Sequence, residues 1–205
     1  MSRASILAAI RIQTAPPAEL PSLEENWITY PDALAQFASV IQAVGGTCLT
    51  VADFSELNAR LAEIPAWQAA KQRVSLVPGA GTSNVDLAAV EDAHELESVD
   101  FAILPGHFGV AENGAIWVTD HGLRHRVIYF ITQHLALVIK ADQIVHNMHQ
   151  AYEKLSGSDG ANFGGPVGQK VFGTFIAGPS KTADIEQSLV IGAHGPRSLT
   201  VFCLK

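Results

Sequence analysis

The segment Gly178-Pro-Ser-Lys-Thr-Ala-Asp-Ile-Glu186 contains the side chains of this sequence best suited to bind an anion. It lies between a predicted strand, 171–177, and a predicted helix, 183–191. Open α/β sheets bind ligands at such junctions, where the first N–H groups of the helix are free to contact an anion. Three side chains add a positive charge and two hydroxyls: Lys181, Ser180 and Thr182. The segment therefore predicts an anion-binding site, which also includes Gly178 and Asp184.

The same segment also fits a purely structural role. Asp184 and Glu186 would stabilise the first turn of a helix by interacting with its dipole, so a helix cap is the alternative interpretation. The segment is not a P-loop, although Gly173 and Gly178 have the G-x-x-x-x-G spacing. That spacing lies inside the predicted strand, and no Lys directly follows the second Gly.

A second candidate is the carboxylate of Glu112, in the turn Glu112-Asn113-Gly114. A Glu at the edge of a sheet can serve as a nucleophile or a general base. Asn113 and Gly114 would then contribute to the ligand site beside it. Asn-Gly is also a strong signal for a tight turn, so the alternative is a β-hairpin with an exposed Glu.

The segment His194-Gly-Pro-Arg197 follows the predicted helix, which ends near Gly192. A His at the end of a helix usually caps the helix or interacts with its dipole. The guanidinium of Arg197 can instead bind a substrate carboxylate through two parallel hydrogen bonds. His194 and Arg197 are therefore candidates for the rim of the anion site.

The cysteine and histidine content does not predict a metal centre. The two cysteines, Cys48 and Cys203, lie in predicted strands, whereas an ordinary iron–sulfur cluster needs four thiolates. Pairs among the eight histidines have the spacing of a helix face, but no third ligand completes either pair. We expect this chain to bind no metal and no cofactor.

The composition predicts a globular protein with a hydrophobic core. Of 205 residues, 48% are hydrophobic and 16% are charged, which excludes disorder for most of the chain. The formal net charge is −7, and no basic stripe suits a nucleic acid or an anionic membrane. The apolar stretch before Arg11 is too short to span a bilayer. We expect a soluble, cytoplasmic protein.

Apolar periodicity predicts helices that alternate with buried strands. Helices are predicted over 2–12, 31–44, 53–64, 142–155 and 183–191. Strands are predicted over 47–51, 73–77, 101–104, 115–118, 127–131, 135–139, 171–177 and 199–204. The alternation indicates an α/β fold of three layers, with helices on both faces of a mostly parallel central sheet. We expect six strands in that sheet, all except 115–118 and 127–131.

We expect one domain over residues 1–205, because no linker or repeat divides the chain. A helix and a Pro-rich connector occupy residues 1–30. Residues 156–168 contain five glycines together with Ser, Asp and Asn, so they predict a flexible loop that interrupts the domain. Residues 79–97 give no clear assignment.

The segment 178–186, followed by Gly192-Ala-His-Gly-Pro-Arg197, closely resembles the C-terminal signature of the LutC (YkgG) family of lactate-utilisation proteins, which contain the LUD domain. That signature is Gly-Pro-Ser-basic-Thr-Ala-Asp-Ile-Glu and then Gly-x-His-Gly-Pro. The layout of residues 99–155 is similar as well. The central block differs, because Ala111-Glu-Asn-Gly-Ala115 stands where members commonly have Ala-Glu-Thr-Gly-Thr.

The resemblance implies a fold similar to the glucosamine-phosphate isomerase, ribose-phosphate isomerase and CoA-transferase group (NagB/RpiA/CoA-transferase-like). It also implies a role in the oxidation of L-lactate to pyruvate, together with iron–sulfur partner proteins. The two cysteines fit this division of labour, because they cannot supply the ligands of the clusters.

Two other functions are open at this stage. Some CoA transferases place their catalytic Glu in a Ser-Glu-Asn-Gly turn, which Ala111-Glu-Asn-Gly114 resembles. The alternative function is therefore a stand-alone enzyme that acts on an anionic CoA thioester or sugar phosphate, with Glu112 as nucleophile or base. The third is a scaffold in which the 178–186 segment only caps a helix.

Overall fold

A computed structural model describes residues 2–12, 18–19, 21–156, 172–182 and 190–205. The elements of these ranges, in chain order, are α1 (Arg3–Ile12), α2 (Ala33–Ala43), β1 (Thr47–Val51), α3 (Phe54–Ala62), α4 (Pro65–Ala69), β2 (Arg73–Ser75), a 3-10 helix (Ala93–Ser98), β3 (Phe101–Pro105), β4 (Phe108–Val110), β5 (Ala115–Thr119), α5 (Ile128–Ile131), β6 (His134–Lys140), a second 3-10 helix (Ala141–Gln143), β7 (Ile144–Val145), α6 (Met148–Ser156), β8 (Gly173–Ile176), β9 (Lys181–Thr182), β10 (Val190–Ile191) and β11 (Ser198–Leu204).

The centre of the fold is a five-stranded, fully parallel sheet in the order β1-β11-β6-β3-β2. Its middle strands are apolar without alternation because both of their faces are covered. In β11, for example, residues 199–203 are all buried. The predicted α/β fold with a mostly parallel central sheet is confirmed, and five of the six strands expected in that sheet are present.

Successive side chains of the central sheet enter two separate hydrophobic cores. On one face, Phe202 belongs to a cluster with Leu57 and Leu61 of α3. On the opposite face, Val201 belongs to a cluster with Phe37 of α2 and with residues of a smaller sheet. Burying each of these side chains fully contributes about 1.5–3 kcal/mol, so the two cores together hold the layers in place.

The smaller sheet has the strand order β7-β4-β5-β8. Strand β8 pairs antiparallel with β5, so the expectation that 171–177 joins the central sheet is wrong. The close approach of these two strands requires Gly173, because a Cβ there would overlap the ring of Trp117. An apolar run of this length fits a buried strand of either sheet, which is why its pattern did not distinguish them.

Two further predicted elements differ from the structure. Residues 127–131, predicted as a strand, contain the short helix α5, because a short apolar run suits a buried helix equally well. The helix predicted over 142–155 begins only at Met148. Before it, β7 pairs with β4, and the Asn147 side-chain oxygen accepts the N–H of Gln150 at 3.0 Å. Asn147 therefore starts the helix as an N-cap.

Three predicted helices are present close to their predicted bounds, as α1, α2 and α3. Ile64, placed in the third of them, lies beyond its end, because Pro65 starts α4. The unassigned residues 79–97 lead into a 3-10 helix that is held by a capping box of Asp92 and Glu95.

Parts of several predicted segments fall outside the described residues. The Gly-rich loop 156–168 does so apart from Ser156, which ends α6, and so do residues 13–17 of the Pro-rich connector. In the ranges that the structure describes, no helix is long and apolar enough to cross a membrane. The single domain over 1–205 stays a prediction.

A substitution at Asp53 tests the start of α3. The Asp53 carboxylate accepts a 2.9 Å hydrogen bond from the N–H of Glu56. We expect Asp53→Ala to lower the free energy of unfolding by about 1 kcal/mol, because that N–H loses its partner. Urea denaturation measures the change. Asp53→Asn accepts the same bond and should keep most of the stability, so an equal loss in both variants contradicts the capping role.

Candidate functional site

Backbone hydrogen bonds join the turn 178–181 to the residues that precede β11. The N–H of Ser180 donates to the carbonyl of Pro196, and the N–H of Gly192 donates to the carbonyl of Ser180, both at 2.9 Å. Through these two bonds, Ser180 contacts Gly192 at the start of the Gly192–Arg197 motif and Pro196 near its end. The structure therefore brings together the two sequence motifs that were predicted to form one site.

The turn also packs against the end of α2. Gly178 and Pro179 are buried, and Gly178 has a φ of +80°. A Cβ on Gly178 would lie 3.0 Å from the side chain and the carbonyl of Val44. Only glycine adopts this conformation in so little space without strain, so its place in the motif has a structural reason.

After this turn the chain forms a short hairpin. Lys181 and Thr182, in β9, pair antiparallel with Val190 and Ile191, in β10. The predicted helix 183–191 is therefore wrong at its last two residues, where β-branched side chains favour a strand. Residues 183–189 lie outside the described part of the chain, and Asp184 with them.

A cleft of about 310 Å³ opens between this turn, α5 and β8. Most of its wall is apolar, and part of that wall belongs to the hydrophobic core that contains Phe37 and Val201. The lining residues are Tyr129, Phe130, Leu135, Phe175, Ile176, Gly178, Pro179, Ser180, Lys181, His194, Gly195, Pro196 and Leu199. A cleft of this size, apolar with a few polar groups, is typical of small-molecule sites.

Three polar side chains lie along the cleft and are available to a ligand: those of Ser180, Lys181 and His194. In the part of the chain that the structure describes, none of them has a hydrogen-bond or ion-pair partner. The hydroxyl of Tyr129, by contrast, donates to the carbonyl of Thr119 at 3.1 Å. Burial, with a smaller effect from Asp120, raises the pKa of Tyr129, which therefore stays protonated. The cleft thus offers an ammonium group, an imidazole and one hydroxyl beside an apolar wall.

The cleft lies at the edge of the central sheet where its strands begin. Leu135 and Leu199 are the second residues of β6 and β11, and both line it. The predicted site follows the end of β8, as the sequence indicated, but β8 belongs to the smaller sheet. The site is therefore opposite the edge at which open α/β sheets usually bind ligands.

Arg197 does not line this cleft but a neighbouring polar hollow of about 340 Å³. Its backbone N–H donates to the carbonyl of Gln133 at 2.8 Å, while Pro196, the residue before it, faces the cleft. The hollow is also lined by His134 and Asp100. The structure therefore separates two residues, His194 and Arg197, that the sequence assigned to one rim.

The charges around the hollow act on His134. Burial, and then the nearby Arg197 guanidinium, lower the pKa of His134, so its imidazole is neutral at pH 7. Its Nδ1 lies 2.8 Å from the Ser198 hydroxyl. The backbone N–H of Gln72 holds the pKa of the Asp100 carboxyl below its usual value. Asp100 is thus an anion that the backbone already binds.

The Glu112 turn lies apart from the cleft. Strands β4 and β5 form the hairpin that Asn-Gly predicted, with Gly114 at a φ of +68° and the Asn113 side-chain oxygen accepting the N–H of Ala115 at 3.0 Å. The Glu112 carboxylate accepts the N–H of Met148, the first residue of α6, at 2.9 Å. Among the described residues, neither Glu112 nor Asn113 lines the cleft. The carboxylate therefore caps a helix.

The two cysteines meet across neighbouring strands. The Cys48 and Cys203 sulfurs are 3.6 Å apart, and both cysteines are free. The hydrogen bond between the two sulfurs lowers the pKa of Cys48, whereas that bond and burial raise the pKa of Cys203. Sequence reasoning placed both in buried strands and did not predict their contact.

Sequence reasoning also missed the residues that form the wall of the cleft. Tyr129 and Phe130 lie in a run that was predicted as a strand, and Leu135 and Leu199 look like any other core residue of a strand. No local signal separates an apolar residue that lines a cleft from one that fills a core. Only the two motifs with polar side chains were recognisable in advance.

The chain is similar to the members of one protein family and to several individual proteins. A family model described as the LUD domain matches residues 32–204. The chain is 28% identical over 160 residues to Lactate utilization protein C of Geobacillus kaustophilus, which covers 76% of this chain and 62% of that protein. It is 29% identical over 115 residues to Lactate utilization protein C of Bacillus pumilus, covering 55% of this chain and 45% of that protein. The matched region spans about half of the length of such relatives.

One solved structure has a similar fold, that of a DUF162 family protein from Deinococcus radiodurans. The two chains are 20% identical, with a TM-score of 0.57, over 84% of this chain and 96% of that chain. The likeness supports the α/β architecture described above.

The charge environment of His134 gives a test of the hollow. We expect Arg197→Gln to raise the pKa of His134, because the repulsion between two cations is removed, while burial still keeps it below the ordinary value. An NMR titration of the His134 ring measures the shift. Arg60→Gln, an exposed change on α3, is the control and should leave the pKa of His134 unchanged. An unchanged pKa of His134 in Arg197→Gln contradicts the electrostatic effect of the guanidinium on this ring.

Proposed function

This chain belongs to the LUD domain family, and we propose that it is a component of an L-lactate utilisation system. In this proposal the system oxidises L-lactate to pyruvate, iron–sulfur partner proteins carry the clusters, and this chain binds the carboxylate of the hydroxy acid or its product. Several relatives are named Lactate utilization protein C. The observation that carries the proposal is that Ser180, Lys181 and His194 line the cleft and that their side chains have no hydrogen-bond or ion-pair partner among the described residues.

The chemistry of these side chains suits a small carboxylate. The Lys181 ammonium can donate a charge-assisted hydrogen bond to a carboxylate oxygen, and the hydroxyl of Ser180 can donate a second. His194 can donate through a ring nitrogen to a carboxylate or accept from a 2-hydroxyl group. The apolar wall strengthens these contacts because it lowers the local dielectric constant.

The sulfur chemistry of the chain supports partners for the redox step. Its two cysteines lie in the central sheet with their sulfurs in contact, and an ordinary cluster needs four thiolates. Clusters that accept electrons from lactate would therefore be held by other proteins, and this chain would need no cofactor of its own. Two free thiols 3.6 Å apart also favour a reducing compartment, so we propose a cytoplasmic location.

The alternative of a stand-alone enzyme finds less support. It needs Glu112 beside a bound thioester or sugar phosphate, yet that carboxylate accepts the N–H of Met148 at the start of α6. This hydrogen bond holds the carboxylate against α6, and Glu112 is not among the described residues that line the cleft. No observation on the hairpin favours this second function.

Removal of the ammonium group tests carboxylate binding. We expect Lys181→Ala to weaken the binding of L-lactate or pyruvate roughly tenfold, the lower end for a lost charge-assisted hydrogen bond, because Lys181 is exposed. Isothermal titration calorimetry on the full chain measures the change. Lys140→Ala, an exposed lysine at the other end of the central sheet, should bind as the unchanged protein does. Equal affinity in both variants shows that the carboxylate binds elsewhere.

The division of labour has its own test. We expect lactate-dependent dye reduction when this chain is combined with cysteine-rich iron–sulfur proteins encoded beside its gene, and none from this chain alone. Lys181→Ala should reduce the rate, and Lys140→Ala should not. Dye reduction by this chain alone, or an equal rate when it is omitted, contradicts the proposed role.

A further inference from the structure

The cleft is larger and more apolar than a three-carbon acid requires. Its volume of about 310 Å³ corresponds to roughly ten water molecules in the liquid. Lactate has six non-hydrogen atoms, five of which belong to its polar end. One methyl group would therefore face an apolar wall whose accessible hydrocarbon belongs to Phe130, Phe175 and Ile176.

We propose that the preferred ligand of the cleft is a 2-hydroxy or 2-oxo monocarboxylate whose substituent on C2 is a branched aliphatic or aromatic group rather than a methyl group. The inference rests on the proposed function, because it uses the same carboxylate contact at Lys181. The inference adds the kind of substituent on C2 that the apolar part of the cleft would bind.

The composition of the wall supports an apolar substituent. Phe175 and Ile176 line the cleft and are half-buried, so they offer hydrocarbon surface to a ligand, whereas Leu135 and Leu199, each 1% exposed, close the cleft behind them. Tyr129 has no hydroxyl proton left for a ligand, because that proton is donated to the carbonyl of Thr119. A substituent that must accept a hydrogen bond would find no donor in these side chains and would lose its hydration.

Two prolines and one aromatic ring add to this wall. Pro179 and Pro196 are buried, and backbone hydrogen bonds at Ser180 hold the segments that contain them together. Phe130 lines the cleft and is 39% exposed, so its ring is accessible to a ligand. An apolar substituent would cover part of this ring. The Lys181 ammonium at the opening of the cleft would keep the carboxylate in contact with solvent.

The size of the expected effect follows from the transfer of methylene groups. Each methylene buried against the wall contributes about 0.8 kcal/mol, which corresponds to roughly fourfold in affinity. The acid 2-hydroxy-4-methylpentanoate has three carbons more than lactate. If all three are buried, it binds up to about sixtyfold more tightly.

The experiment is calorimetry on the full chain with four acids that share the same polar end: L-lactate, 2-hydroxybutyrate, 2-hydroxy-4-methylpentanoate and 3-phenyllactate. We expect the affinity to rise from lactate to the larger acids. Lys181→Ala should weaken the binding of all four by a similar factor, because the carboxylate contact is common to them.

A matched pair of variants locates the apolar group. Phe130→Ala should lower the ratio of the affinities for 3-phenyllactate and lactate at least threefold, since the removed ring is part of the wall. Phe172→Ala is the control, because Phe172 is 40% exposed and does not line the cleft. It should leave the ratio unchanged.

Each other outcome overturns the inference. If lactate binds through Lys181 but the larger acids bind equally or more weakly, the substrate class is wrong and the proposed function stands. If Phe130→Ala keeps the full ratio, the apolar group does not lie on this wall. If none of the four acids binds, the carboxylate site of the proposed function fails as well.

Discussion

The pairing of β11 with a strand on each side is the interaction on which the rest of the structure depends. Its residues pair one by one with β6 on one side, and those from Thr200 onward pair with β1 on the other. Because all these strands are parallel and begin at the same edge, the residues just before β11 lie beside those that begin β6. Ser198 is opposite His134, and the N–H of Arg197 bonds to Gln133. The site is assembled on this edge.

Pro196 divides that edge into two different environments. On its side of the chain, the cleft has apolar walls and a cationic mouth at Lys181. On the side of Arg197, the hollow is polar and holds His134 and Asp100, one neutral and one anionic. One peptide bond thus separates a surface that suits hydrocarbon from a surface that suits charge.

Local rules predicted the parts of the fold that depend on local physics. Asp53 caps α3, and Asn113 with Gly114 forms the turn of a hairpin, because these choices involve residues three or four apart. The buried strands of the central sheet could also be predicted, since a strand that is covered on both faces consists mainly of apolar residues.

The features that local rules did not predict depend on pairing between segments that are far apart in the sequence. The sequence of β8 does not say which sheet it joins, because its pairing with β5 and the contact of Gly173 with the ring of Trp117 exist only in the folded chain. Similarly, α5 is helical where its apolar run suits a strand. For the site, the polar motifs could be recognised, but the separation of Arg197 from His194 and the wall formed by Leu135 and Leu199 exist only once the sheet has formed.

The topology also determines when the strands of the central sheet can pair during synthesis on the ribosome. Strand β1 has one partner in the sheet, β11, and the paired residues are about 150 positions apart in the sequence. At 5–20 residues per second, roughly 8–30 s of synthesis separate the two strands. Throughout that interval Leu49 and Val51 belong to an unpaired strand edge, the kind of surface that promotes association between nascent chains. Translation, and any chaperone that shields this edge meanwhile, therefore governs how soon the sheet can close.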